Sequence, residues 1–222
     1  MKNPIGVDAA KLAGLQIDML QKFRNGQITV NHLEWFNKLS KRDRDKLSWL
    51  TAVDDRFILV KTFTITVPEN YNHLTALATF KKEHGKKFYY YNENTNDENF
   101  KNVSAKLTPG QKLTVKVFGI TERMSSEDCL AHLKSQKAIF TGAQGVCLVF
   151  EQKREELPKG KWYISFDEKR ALWKDSDGDR GVPYLGCRSD GDFNFVLGDF
   201  DGDWHDGHCL LCFCDFEESL EA

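Results

Sequence analysis

No apolar run in this 222-residue chain approaches the roughly 18 residues that a membrane-spanning helix needs. No positively charged start leads into an apolar stretch either, so a cytoplasmic protein without membrane attachment is expected. Cysteine is sparse. Its six positions, 129, 147, 187, 209, 212 and 214, are too few and too uneven to staple so long a chain. Free thiols in a reducing compartment are therefore expected rather than disulfides. Several catalytic signatures are absent too: no Gly-x-Ser-x-Gly elbow, no phosphate-binding Gly-Lys-Ser/Thr loop, no His-Glu-x-x-His and no Gly-x-Gly-x-x-Gly. The segment "TGAQG" lacks the required spacing.

What is present suits a packed domain. Hydrophobic residues make up 41% and charged residues 29%, with a net charge of −2, so disorder is not expected. The length fits one large domain, or one of about 150 residues with an appendage. Charge is uneven along it. Residues 1–50 hold nine Lys/Arg against five Asp/Glu, whereas residues 161–222 hold six against fifteen, or −9. Such a segment repels phosphate backbones, which leaves only the N-terminal part as a nucleic-acid candidate.

Periodicity divides the chain at about residue 54. Before it, Leu12, Leu15, Met19 and Phe23 recur at helical spacing, Thr29 can cap a second helix, and Ser40 with Asp43 can open a third. Three short helices with "KRDRDK" could read DNA through residues 29–50, where Arg42, Arg44 and Lys46 would contact it. The interleaved signs equally describe the solvated face of a helical appendage.

After Asp54-Asp55 the period becomes two. Phe63, Ile65 and Val67 alternate with Thr62, Thr64 and Thr66 as in a strand with one wet face. "HLTALATFKKEHG" follows as a helix, with His84 at a C-terminus that favours a cation. "KKFYYY" is a short strand, residues 113–117 another, and Ser126 caps a helix over about 127–136. "GVCLVF" suits either a buried strand or a helix running to Pro158, and its length and charged end favour helix. Cys129 and His132, one turn apart in the Ser126-capped helix with Leu130 and Leu133 beside them, count as packing residues. From Lys161 onward, aromatic runs separated by Asp-Gly pairs predict an antiparallel meander. The expected fold is α+β: a helical appendage over 1–54 and a main domain over 55–222, with a mixed α/β centre and the meander from about 161.

Three Asp-Gly-Asp sequences in that meander raise the question of metal binding. An EF-hand register from Asp175 places Asp177 and Asp179 correctly, but Arg180 falls where glycine is needed and Gly186 where glutamate is. Hairpin turns with positive φ at both central residues are expected instead. Asp175, Asp177 and Asp179 remain the alternative divalent-cation ligands. "WHDGHCLLCFC" gathers His205, His208, Cys209 and Cys212, donor types that zinc prefers. Its spacers Leu210, Leu211 and Phe213 are apolar, so a buried central strand is the preferred reading. The competing readings are a zinc site and a Cys209/Cys212 redox pair.

"NGQITVNHLEWF", "LPKGKWYISFDEKRALW" and the "CLLCF" ending make the chain similar to bacterial hypothetical proteins of unknown function. The similarity implies a bacterial origin and carries no activity. The favoured function is a non-enzymatic protein-binding module without cofactor. Its acidic, aromatic-rich C-terminal region would meet a basic partner through Trp162, Trp173, Tyr184 and Trp204. A metal-dependent enzyme or zinc-stabilised domain is the alternative, and DNA binding through the N-terminal helices a second one.

Overall fold

The computed structural model describes residues 54–216, together with positions 17, 20, 21, 24, 29, 30, 34, 37, 38 and 40. The chain divides into two compact units, 1–53 and 54–222. In the first, every described position except Thr29 and Ser40 is helical. The remainder of the three-helix reading, with Arg42, Arg44 and Lys46, lies outside the described residues.

The second unit is an α+β fold built on one mixed sheet. Strand β1 (Phe57–Thr66) shows the expected alternation, burying Phe63 and Ile65 while Thr62, Thr64 and Thr66 face solvent. A bulge between Leu59 and Lys61 shifts its register against β3 (Lys112–Ile120). Helix α1 (Ala76–His84) and β2 (Phe88–Tyr91) follow, then, after β3, the short β4 (Met124–Ser125), α2 (Ser126–Ser135) and α3 (Gly142–Lys153). The C-terminal part supplies β5 (Lys161–Ile164), β6 (Trp173–Lys174), β7 (Arg180–Cys187), β8 (Phe193–Asp199), β9 (Asp203–Trp204) and β10 (His208–Asp215). Among the described residues, the main sheet runs β1-β3-β10-β5-β7-β8-β2, with β6 also on β7, and β4 pairs with β9 separately.

Neighbours β5, β7 and β8 form the expected antiparallel ribbon. Strand β10 leaves it, inserting antiparallel to β3 and parallel to β5. Its residues explain the position: Cys209, Leu211 and Phe213 enter the core on one face of the sheet, Leu210 and Cys212 the core on the other. A strand apolar on both faces is stable only where both are covered.

One core lies beneath α1 and α3, the other beneath α2. Residues 142–150 of α3 are all buried and, Gln144 apart, lack polar side chains, which is why this stretch resembled a strand. Gly145 lets it approach β10, since a Cβ there would lie 2.7 Å from the Phe213 ring. The cap of α2 is Ser125 rather than Ser126: Ser125 Oγ accepts from Asp128 N at 3.1 Å. Ser126 is buried and instead accepts from Trp204 Nε1 at 2.8 Å while donating to the Phe200 carbonyl.

Candidate functional site

Each Asp-Gly-Asp sequence closes a turn. Asp175 Oδ1 accepts from the amides of Asp177 and Asp179, both at 2.9 Å, Asp190 Oδ1 from Asp192, and Asp199 Oδ1 from Asp201. These are carboxylate-closed loops, in which an aspartate side chain replaces a backbone acceptor. The expected pair of positive φ angles is absent: only Gly178 (+93°) and Gly191 (+96°) take one, and their aspartate neighbours do not. Asp175 spends its carboxylate on its own loop. The loops 175–179 and 199–203 lie close enough that Asp175 first, then Asp199, Asp177 and Asp201, raise the Asp179 carboxyl above its ordinary range.

The His/Cys candidates do not converge. His205 and His208 meet edge to face with ring centroids 4.3 Å apart, and the His208 ring contacts Trp204 and Tyr184. Cys209 faces the opposite core from Cys212. The thiol beside Cys212 is Cys214, with the sulfurs 3.7 Å apart. Burial raises the Cys209 thiol, and contact with Cys214 followed by burial raises that of Cys212. Both are therefore poor thiolates. Burial and the neighbouring His205 bring His208 down to about 4, leaving it neutral at pH 7.

Three of the four aromatic candidates share one face of the sheet. Trp162 packs edge to face on Tyr184 (5.4 Å), and Tyr184 on Trp204 (6.2 Å). Glycines make room for them: a Cβ at Gly186 would fall 2.2 Å from the Trp162 ring, and one at Gly198 2.9 Å from both Trp204 and Tyr184. Trp204 is buried, while Trp162, Tyr184 and His208 are half-buried. Trp173 stands apart, packed with the core on the other face. Next to Trp162, across the ladder, Asn194 pairs with Gly186; its side chain is 8% exposed and its Oδ1 has no partner.

A second site was not anticipated. Between α1 and α3 lies a cleft of about 240 Å³, lined by Tyr71, Thr79, Glu83 and His84 on one side and by Gln144 and Glu151 on the other. The helical period builds it, since Ala76, Thr79, Phe80 and Glu83 form one stripe and Gln144, Cys147, Leu148 and Glu151 the facing one. His84 Nε2 lies 3.4 Å from Glu151 Oε1 and 3.9 Å from Glu83 Oε2. Desolvation lowers the His84 imidazole, with the Lys87 charge adding to it, and raises the Glu151 carboxyl, with Glu83 adding to it. The placement of His84 at a helix end favours a cation, but burial works against the charged form. Gln144, the polar residue within the apolar stretch 142–150 of α3, and Glu151, seven residues on along the same face, were the available sequence signal.

Fold and geometry define an α+β protein with a half-open aromatic sheet face and a separate polar cleft. No protein-family model, no curated protein and no solved structure matches the chain. Among the described residues, no helix is long and apolar enough to cross a membrane.

Proposed function

We propose that the protein is a non-enzymatic binding module whose half-open aromatic face takes an arginine- or lysine-bearing segment of a partner protein. The observation that carries this reading is the meeting of Trp162, Tyr184 and Trp204 on one face, beside the acidic loop that delivers Trp204. Aromatic faces attract guanidinium and ammonium groups, and the attraction grows as the site is desolvated. Acidic residues supply the steering: among the described residues, Asp177, Asp179 and Asp199 make no ion pair with a basic group. The pairs that do exist, Arg123 with Asp203 and Lys169 with Asp201, join exposed groups, where a competing cation displaces a partner at little cost.

Titration calorimetry with an arginine-rich peptide and its glutamate-for-arginine counterpart tests the reading. Only the arginine peptide should bind. Trp162→Ala combined with Tyr184→Ala should weaken it about tenfold or more, since each contact contributes roughly 0.5–2 kcal/mol. Equal binding of both peptides, or affinity unchanged in the double variant, would refute it.

A further inference from the structure

The cleft between α1 and α3 contains a donor set that the aromatic-face reading leaves unused. Among the described residues, Glu83, His84 and Glu151 are the one group of His, Cys, Asp or Glu whose ligand atoms all lie within 4.8 Å of one another. We infer that these three residues form a binding site for a divalent transition-metal ion at the mouth of the cleft, with a further coordination position open to water or a small ligand.

Geometry is the first support. Ligand atoms about 2.1 Å from a tetrahedral zinc ion stand roughly 3.4 Å from each other. His84 Nε2 is 3.4 Å from Glu151 Oε1 and 3.9 Å from Glu83 Oε2, and all three ligand atoms lie within 4.8 Å of one another, so a side-chain movement of about an ångström closes the set. The Glu83 side chain is 60% exposed and free to make that adjustment, whereas His84 and Glu151 are held at 17% and 26%. Phe80 and Phe150 fix the imidazole between them, with ring centroids 5.1 and 5.7 Å away.

Charge is the second support. Glu83 and Glu151 flank the His84 ring, and among the described residues neither carboxyl group pairs with a Lys or Arg. Arg154 pairs with Glu155 at 3.2 Å and turns a guanidinium nitrogen to the Glu151 carbonyl rather than its carboxylate. Lys87, in the 3-10 turn Gly85–Lys87, is near enough for its charge to act on His84 but pairs with neither carboxyl group. A divalent ion would relieve the repulsion that these groups leave uncompensated.

Unmet hydrogen-bonding capacity is the third, and it is independent of the acidic residues. Gln144 is 2% exposed and lines the cleft; its Nε2 donates to the Phe100 carbonyl at 3.1 Å, which leaves Oε1 without a partner. His84 Nδ1 is also buried and unpartnered. A buried polar atom in that condition costs about 1–3 kcal/mol, so the cleft is suited to a polar occupant. Imidazole with carboxylate favours zinc, manganese or cobalt over calcium and magnesium, which prefer all-oxygen sites.

Titration calorimetry of the full chain with Zn²⁺, Mn²⁺ and Co²⁺, with Mg²⁺ as control, tests the site. One equivalent of transition metal should bind, with Mg²⁺ at least tenfold weaker, and bound Co²⁺ should give a visible absorption band. Glu83→Gln changes an exposed side chain and should keep the native melting temperature while weakening binding tenfold or more. His84→Ala should abolish it, and His205→Ala should leave it unchanged. No saturable binding of any of the three transition metals, or full affinity in both Glu83→Gln and His84→Ala, overturns the inference.

Discussion

Burial and hydrogen bonding act on Asp167 in opposite directions. Its carboxylate accepts from Ser104 N, at 3.2 Å to each oxygen, and from Glu168 N at 2.7 Å, yet the residue is only 1% exposed. Desolvation wins and raises the carboxyl from 3.8 to about 6. A carboxyl raised by folding adds stability in its protonated form. That contribution is complete below about pH 4 and is lost as pH rises through 6. Melting curves between pH 4 and 8 should therefore show the wild type losing stability relative to Asp167→Asn by up to about 3 kcal/mol. Parallel curves would show that the carboxyl titrates normally. At this scale the sequence was informative where chemistry is local. An aspartate can close its own loop without tertiary help, so all three Asp-Gly turns were legible, although the backbone angles within them were not. The Trp162 ring over Gly186 joins residues 24 positions apart and leaves no local trace.

Helix α3 shows the same limit for a whole element. Its nine consecutive buried residues erase the periodicity that distinguishes helix from strand, and only its length and charged end pointed to helix. Close approach to β10 depends on Gly145. Gly145→Ala sets a methyl 2.0 Å from Thr141 Oγ1 and 2.7 Å from a Phe213 ring carbon. The hydroxyl can rotate, but the ring, 1% exposed, cannot. Overpacking of this kind typically costs 1–3 kcal/mol, so the variant should melt several degrees lower. A wild-type melting temperature would mean that α3 sits farther from the sheet. The polar cleft beside this helix was illegible for a related reason. Glu83 and His84 lie some seventy residues before Glu151, and only the packing of α1 against α3 makes them neighbours.

At the scale of the molecule, the sequence showed the class of fold and the apolar character of the last strand but not its destination. Strand β10 had to lie in the middle of a sheet because both its faces are apolar. Its pairing with β3, nearly a hundred residues earlier, is a tertiary choice. That insertion separates Cys209 from Cys212 and brings His208 against Trp204 and Tyr184, and so turns a candidate zinc cluster into part of an aromatic face. Among the described residues, Asp199, Asp201 and Asp203 lie in the loop that delivers Trp204 to that face, which supports the proposed basic partner. The most direct measurement is the movement of the five tryptophan indole N–H resonances as an arginine-rich peptide is added. Trp162 should move in a saturable way while Trp173, packed on the other face, stays in place. A stationary Trp162, or equal movement of both, would contradict the proposed binding face.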